Sequence, residues 1–167
     1  MPSTVSVSNY QIPSGIVYFR ADGQSAWRDL GNVPKLTLKA IIETSEHKTS
    51  RDGNRSVDDI QEISKDIEAT FTAEEVTPEN LAMFWLGEQS TDSDGHDVVT
   101  MLTSSSLKGD LKFEGAANSK GPVYTYLITG LKLVPTDSQE LISDKMTSLS
   151  FSGKASGGTI TKTSGGA

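Results

Sequence analysis

The clearest hydrophobic pattern in the chain is the alternation of apolar and polar residues over residues 66–74, DIEATFTAE. One face collects the apolar side chains, Ile67, Ala69, Phe71 and Ala73. A period of two over this length is typical of a strand that buries a single face. The pattern therefore predicts a half-buried strand with a polar, acidic outer face formed by Asp66, Glu68, Thr70, Thr72 and Glu74.

Other strand-like segments are separated by clusters of Gly, Asn, Asp and Ser. Residues 35–44 alternate in the same way, and their polar face carries Thr37, Lys39, Ile41 and Glu43. A strand is also expected from about Ile60, and the remaining candidates are residues 15–20, 96–103, 109–115, 121–134 and 145–154. Many short strands at this spacing indicate a β-sandwich or barrel, so we predict an all-β fold.

A single stretch, VTPENLAMFWLG at residues 76–87, favours a helix. Thr77 is a good N-cap, Pro78 suits the first helical turn, and Gly87 can take the left-handed conformation that ends a helix. Both sides of this short helix are apolar: Leu81, Phe84 and Trp85 form one stripe, and Ala82, Met83 and Leu86 lie opposite. We expect the first stripe to cover the core, which leaves open what covers the second.

Three segments lack a pattern that would pack against a core. Residues 45–59, SEHKTSRDGNRSVDD, contain almost nothing apolar and predict a long exposed loop around a D-G turn. Residues 155–167 are rich in Gly and Ser and predict a flexible tail, and residues 1–14 predict an N-terminal arm. We therefore expect one β domain over residues 15–154.

Composition narrows the classes of function. A chain of 167 residues suits one domain, and neither a signal peptide nor a run of about 18 apolar residues is evident, so we expect no membrane association. The absence of cysteine excludes disulfides and thiolate chemistry. A net charge of −7 is the wrong sign for gripping nucleic acid, because affinity for DNA comes from cations that displace its counterions.

No constellation of catalytic or metal-binding residues stands out. The sequence has neither a G-x-S-x-G elbow nor a phosphate-binding loop, and His47 and His96 both lie in polar segments. TDSDGHD, residues 91–97, places acidic residues around Gly95, but this glycine is at the wrong offset for a calcium-binding EF-hand and no Glu follows at the twelfth position. We predict a protein that is not an enzyme and needs no cofactor or metal.

The order of these pieces resembles the major tail tube proteins of long-tailed bacteriophages. The similar segments are LGNV at residues 30–33 ahead of KLTLKAIIET, a D-G-N-R turn within residues 51–55, DIEATFTAEEV, the helix entry TPENL, and VYTYLITGLKLVPTD followed by MTSLSFSGKA. Together they run in order through residues 15–154. Each motif is short, and the resemblance lies in the whole order.

The resemblance implies a tail-tube-like β subunit with one flanking helix, in which six subunits form each ring and stacked rings form a hollow tube for genome ejection. The partners would be further copies of the chain and other tail proteins, such as the tape measure, tail tip and terminator. DNA would pass through without specific binding. The protein would assemble in the host cytoplasm and reside in the virion tail. Helix residues would pack against the core and a neighbouring subunit: Leu81, Met83, Phe84, Trp85 and Leu86.

Two further roles follow from the resemblance. The polar loop would reach the next ring through side chains of mixed sign, Arg51, Asp52, Arg55 and Asp58. The lumen should be neutral to acidic, because a wall of Lys and Arg would hold each phosphate that it touched. The expected lumen-lining residues are Asp66, Glu68, Thr70, Thr72 and Glu74 with Lys39 and Glu43 alongside, and Glu68 across the hairpin would neutralise Lys39.

The alternative is a carbohydrate-binding or adhesin-like β-sandwich that uses aromatic residues on a shallow face. The available aromatic side chains are dispersed along the sequence: Tyr10, Tyr18, Trp27 and Trp85. Rings or tubes in electron micrographs would distinguish the tail-tube interpretation from this one.

Overall fold

The computed structural model describes residues 9–51, 53, 55–116 and 121–164. This part of the chain forms ten strands and one short helix: β1 (Gly15–Ala21), β2 (Arg28–Asp29), β3 (Lys35–Thr49), β4 (Ser56–Ala73), α1 (Pro78–Phe84), β5 (Glu88–Thr91), β6 (Asp97–Thr100), β7 (Leu107–Gly115), β8 (Val123–Pro135), β9 (Leu149–Ala155) and β10 (Gly157–Ser164). The prediction of an all-β fold with one short helix is confirmed.

Eight strands form one antiparallel sheet in the order β2-β1-β7-β8-β9-β4-β3, with β10 also pairing with β8. The strands β9 and β10 follow each other along the same edge of β8, where β9 pairs with residues 132–135 and β10 with residues 123–129. The strands β5 and β6 form a separate hairpin that packs on α1. The sheet is therefore continuous from β2 to β3, and β4 pairs with β9 only through residues 67–73.

The core lies on the concave side of this sheet and collects buried residues from β1, β4, β7, β8, β9 and α1. Phe71 stacks on Phe151 at 5.0 Å between ring centroids, and Phe84 meets Phe151 edge to face at 5.8 Å. Strands β1 and β4 are distant in the sheet order yet contribute to the same core, so the sheet curves around it. The predicted inner face of β4 is confirmed, with Ala69, Phe71 and Ala73 buried.

The buried side chain of Asn80 fastens α1 to the sheet. Its amide nitrogen donates to the carbonyl oxygens of Leu30 at 3.2 Å and Glu75 at 2.8 Å, and its amide oxygen accepts from Arg28 at 2.6 Å. Burial lowers the pKa of Arg28, against the opposing effect of the nearby Glu79 carboxylate. Thr77 caps the helix as predicted, since its hydroxyl accepts from the backbone nitrogen of Asn80.

The end of the helix differs from the prediction. Leu86 takes the left-handed conformation, with φ of 49°, and Gly87 does not. A Cβ at Gly87 would stand 2.0 Å from the carbonyl oxygen of Thr100, so glycine is required there by the close approach of the next hairpin. The segment beginning at residue 88, for which no strand was predicted, supplies strand β5 of that hairpin.

The predicted long loop at residues 45–59 is wrong. Strand β3 continues to Thr49 and pairs with Ser56 of β4, leaving only residues 50–55 to connect the two strands. No other element among the described residues covers these strand ends, so their side chains are mostly polar and exposed. Hydrophobic alternation indicates burial and not strand pairing, so it did not predict them.

The flexible tail is also wrong for residues 157–164, which form β10 along the edge of β8. Their backbone pairing supplies the order that Gly and Ser side chains cannot provide through core packing. Residues 165–167 and residues 1–8 of the expected N-terminal arm lie outside the described part of the chain. From the rest of that arm, Gln11 donates a hydrogen bond to the carbonyl oxygen of Pro122 at 2.8 Å.

Candidate assembly surfaces

The longest hairpin of the protein extends well past its core. Strand β3 pairs with β4 from Lys35 to Thr49, whereas β9 covers the other edge of β4 only as far as Ile67. Residues 41–49 and 56–66 consequently form a two-stranded extension, which we call the β3–β4 ribbon. Most of its side chains are exposed, and its backbone edges have no neighbouring strand among the described residues.

One face of the ribbon continues the inner face of the sheet and carries exposed apolar residues between charged ones. Ile42 shares the face of the half-buried residues Leu36 and Leu38, and the register places Ile60 and Val57 on this face opposite Glu46 and Lys48. The exposed fractions are 58% for Ile42, 60% for Ile60 and 45% for Val57. Ile63, at a β-bulge between them, is 66% exposed. We call this set the ribbon stripe.

An open cavity with a mixed polar and apolar lining lies in the body of the subunit, at the base of the ribbon. This cavity, of about 620 Å³, is lined by Leu36 and Leu38 of β3 together with Val17, Phe113 and Tyr126 from the facing part of the sheet. Exposed isoleucine and valine side chains are therefore spaced along the ribbon, beyond the edge of the core. Several exposed apolar side chains on one face mark an interaction site more often than isolated exposed hydrophobic residues do.

The side chains predicted to reach another ring lie at the far end of the ribbon. Arg51 and Arg55 are exposed in the connection, and Asp58 lies at a β-bulge, where its carboxylate is 2.6 Å from Nδ1 of His47. Asp52 is outside the described residues. The structure thus places the described members of this set together at a projecting tip, although on a hairpin rather than on a loop.

The predicted lumen residues lie on the outer face of the sheet, opposite the core. The register confirms that Lys39 is directly across from Glu68, and Thr37 from Thr70. Of the acidic side chains, Asp66 and Glu68 are half-buried, whereas Glu43 and Glu74 are exposed. Glu74 Oε2 accepts a hydrogen bond from the side chain of Asn32 at 2.5 Å. This carboxylate is therefore held against the connection between β2 and β3.

Neighbouring strands change the charge of this face. Glu68 is directly opposite Lys154 on β9. The same row of cross-strand neighbours continues with Lys132 on β8 and Lys108 on β7. With Lys35 and Lys39, five lysines lie beside the four carboxylates of the predicted set, so basic side chains accompany the acidic ones on this face. The lysines were missed because β4 was considered only with β3, although each occupies an outward position between apolar or glycine neighbours.

The second apolar side of α1 is covered within the subunit. Met83 is 5% exposed and Ala82 is also buried, as is Phe84 of the first stripe at 3%. Met83 is therefore unavailable for the contact with a neighbouring subunit that the sequence suggested. Leu81, Trp85 and Leu86 are half-buried, and Trp85 donates its indole N–H to the side chain of Gln139 at 2.9 Å.

Two of the aromatic residues considered for carbohydrate binding do come together. Tyr18 and Trp27 lie on the outer face of the β1–β7 region, where the Lys112 ammonium sits 4.7 Å and 4.8 Å from their ring centroids. The Arg20 guanidinium lies 4.5 Å from the Trp27 ring and pairs with Asp110. Cations occupy these aromatic faces, so the rings do not form the open platform on which a sugar would stack.

The acidic turn at residues 92–96 is held by hydrogen bonds between its own residues. Asp92 accepts hydrogen bonds from the backbone nitrogens of Asp94 at 2.9 Å and His96 at 2.8 Å, and these bonds hold the pKa of its carboxyl below the ordinary value. Potential ligand atoms of Asp92, Asp94 and His96 lie within 4.8 Å of one another, and all three residues are exposed. The geometry is that of a hydrogen-bonded turn.

One exposed apolar segment was not anticipated. The connection between β8 and β9 leaves Leu141, Ile142 and Met146 at 83%, 99% and 93% exposure. Its sequence, QELISDKM, has no strand or helix period that would have distinguished it. Among the described residues, no helix has the length and apolar character needed to cross a bilayer.

Comparison with known proteins yields one family and two distant structural likenesses. The family described as "Protein of unknown function UCP028589" matches residues 10–113. No curated protein matches the sequence.

Both structural likenesses have 10% sequence identity and a TM-score of 0.43. One is described as "Tail of empty GTA particle computed with helical refinement, C6 symmetry" and covers 90% of this chain and 96% of its own. The other is described as "Cryo-EM structure of the anti-feeding prophage (AFP) baseplate, 6-fold symmetrised" and covers 96% and 97%. TM-scores this low establish neither a shared fold nor a shared function.

Proposed function

This chain belongs to the family described as "Protein of unknown function UCP028589", and we propose that it is a structural subunit that assembles with copies of itself into a phage tail tube. The observation that carries the proposal is the β3–β4 ribbon, with its apolar stripe exposed beyond the core. A monomer leaves this stripe in water, whereas a neighbouring copy would bury it.

The energetics favour burial of the ribbon by a partner. The four exposed side chains of the stripe are all β-branched and each is roughly half exposed, so covering them contributes ~1 kcal/mol apiece. The edges of the ribbon add unpaired backbone groups that attract another strand. Burial of the stripe and pairing of the ribbon edges stabilise the protein only in an assembly. The ribbon itself has few contacts with the rest of its own subunit.

The finer features of the proposal come from the ordered sequence resemblance to tail tube proteins. We propose six subunits in each ring, stacked rings, and passage of the genome through the lumen, with other tail proteins at the ends of the tube. The heterologous contacts of such a ring join two different surfaces of the subunit, as a ribbon packing against a neighbouring body would do.

Within this proposal, the lumen is lined by the outer face of β3 and β4. Asp66, Glu68 and Glu74 would face the bore with Lys39 and Glu43, and the tip residues Arg51, Asp52, Arg55 and Asp58 would contact the next ring. Glu68 and Lys39 occupy directly opposed positions, which supports a nearly neutral wall along which a polyanion can slide.

The first test is negative-stain microscopy of the purified protein. We expect rings or tubes at high protein concentration, and featureless monomers across several salt conditions would refute the assembly proposal. The lumen assignment is tested by a reconstruction, which should place Glu68 on the bore. Burial of Glu68 between subunits would refute that assignment while leaving the assembly proposal intact.

The tip can be tested separately because Thr49 pairs directly with Ser56. Replacing residues 50–55 with Asn-Gly would close the hairpin with a two-residue turn and remove Arg51 and Arg55. We expect rings to form and long tubes to fail, and Arg51→Ser with Arg55→Ser should shorten tubes without altering the turn length. Tubes of normal length from the Asn-Gly variant would exclude a role of the tip in stacking.

A further inference from the structure

Three lysines lie side by side on the outer face of the sheet with no anion among them. Lys108 is directly opposite Lys132, and Lys132 directly opposite Lys154, on the adjacent strands β7, β8 and β9. All three are exposed, and within the described residues none forms an ion pair. We call them the lysine row.

This arrangement is unfavourable in an isolated subunit. Directly opposed side chains on neighbouring strands have their Cβ atoms roughly 5 Å apart, and like charges at this separation repel. The only carboxylate in the same cross-strand series is Glu68, which is opposite Lys154 but also opposite Lys39. An external anionic surface placed over the lysine row would relieve the repulsion.

The same chain carries a surface of the opposite charge. Residues 66–107 contain nine Asp or Glu and no Lys or Arg, whereas the rest of the chain has 13 acidic residues against 15 Lys or Arg. The β5–β6 hairpin belongs to this acidic stretch and exposes Glu88, Asp92, Asp94 and Asp97. Within the described residues these carboxylates form no ion pair with a lysine or arginine, and Asp92 pairs only with His96.

We propose that the lysine row is the docking surface for the acidic β5–β6 hairpin of a second copy of this chain. The proposal rests on the self-assembly proposed above and specifies one of its contacts. Small apolar contributions accompany the charges, since Val134 lies on the same face as Lys132 and is 40% exposed, and Val98 of the hairpin is 39% exposed. The two surfaces differ, so the contact is heterologous and compatible with a ring.

The alternative anion is the phosphate backbone of DNA. A bare lysine row facing the bore would release counterions from DNA and retain it, which is unfavourable for a conduit. The row lies on β9, β8 and β7, which are one, two and three strands away from β4, so a neighbouring subunit can cover it beside the proposed bore. The hairpin of a second copy is therefore the favoured occupant.

The test uses charge reversal on each surface of the full chain. One variant combines Lys132→Glu with Lys154→Glu, and the other combines Asp94→Lys with Asp97→Lys, leaving Asp92 to hold its turn. By sedimentation velocity at low salt, each variant alone should associate at least ~10-fold more weakly than the wild type. An equimolar mixture of the two should recover association, because every contact between one variant and the other joins surfaces of opposite charge. Lys145→Glu with Lys162→Glu, which changes net charge equally, should associate normally.

Folding is monitored independently. Lys132→Glu places a carboxylate between two lysines, so the single variant should melt about 1–2 °C higher than the wild type while associating more weakly. A lower melting temperature for this variant would contradict the repulsion on which the proposal rests. Higher stability combined with weaker association is a result that misfolding does not produce.

Each remaining outcome has a definite meaning. If the wild type assembles and both reversed variants assemble equally well, the hairpin contact is refuted and the proposed function stands. A wild type that stays monomeric at every concentration refutes both. The last measurement is DNA binding by the wild type and both variants, followed by the fluorescence anisotropy of a labelled DNA duplex. If the lysine variant loses DNA binding while the hairpin variant binds DNA and self-associates normally, DNA is the occupant and the proposal is wrong.

Discussion

The two ends of β4 lie in different environments. At one end, residues 67–73 lie between β3 and β9 and bury Phe71 and Ala73 in the core. At the other, residues 56–66 pair only with β3 and leave Ile60 and Ile63 exposed. Both ends are paired as strand, although the outer end contains two β-bulges, so strand formation does not depend on burial here. What differs is the role of an apolar residue, which stabilises the subunit at one end and is available to a partner at the other.

The largest effect should come from the buried end. Phe151→Ala removes the ring that stacks on Phe71 and meets Phe84, and the cavity should lower the free energy of unfolding by ~3–5 kcal/mol. Chemical denaturation monitored by fluorescence measures this change. A loss below ~1 kcal/mol would mean that the core is packed differently from the structure described here.

A somewhat smaller effect is expected at the helix attachment. Asn80→Ala leaves the carbonyl oxygens of Leu30 and Glu75 and the guanidinium of Arg28 without their side-chain partner, which should cost ~2–3 kcal/mol in the free energy of unfolding. The cap variant Thr77→Ala should cost only ~1 kcal/mol, because one helix-end hydrogen bond is lost. Equal losses from the two variants would indicate that Asn80 is no more than a cap.

A third effect is modest and depends on pH. The hydrogen bond from Arg20, joined by one from the backbone nitrogen of Gly130, holds the pKa of Asp110 below its ordinary value. A carboxyl with a lowered folded-state pKa stabilises the fold above its unfolded pKa and loses this contribution as pH falls through the folded value. Asp110→Asn should therefore cost about 0.5 kcal/mol at pH 7 and progressively less below about pH 4.

The measurement for Asp110 is a series of denaturation curves against pH. The exposed residue Asp144 provides the control, and Asp144→Asn should show no comparable pH-dependent difference from the wild type. A cost for Asp110→Asn that stays constant from pH 7 to about pH 3 would assign the effect to packing instead of charge.

The smallest effect on subunit stability is expected in the ribbon, where the comparison is sharpest. Ile42→Thr with Ile60→Thr keeps both residues β-branched and should change the free energy of unfolding of the monomer by less than ~0.5 kcal/mol per site. The same variant should reduce ring or tube formation in micrographs. Normal assembly would show that the ribbon stripe is not an interface, and a large loss of monomer stability would show that the subunit itself uses it.

Several elements of the structure were predicted from the sequence, and others were not. The alternation over residues 66–74, the Thr77 cap and the pairing of Lys39 with Glu68 were all predicted correctly, because each follows from local periodicity or hairpin geometry. The strand from about Ile60 was predicted correctly, whereas residues 45–49 of β3 and 56–59 of β4 were missed because their exposed side chains carry no alternation. The Gly87 prediction failed because contact with Thr100, not backbone conformation, fixes that position.

The sequence by itself determined which residues can be buried and which local structures they favour, since these depend on side-chain chemistry within a few residues. Only the tertiary structure decided what lies beside each strand. It placed Lys108, Lys132 and Lys154 next to a face that looked acidic, covered Met83, and left Ile42 and Ile60 uncovered. Cross-strand neighbours come from residues tens of positions apart. Their charges and apolar surfaces therefore combine only once the sheet order is set.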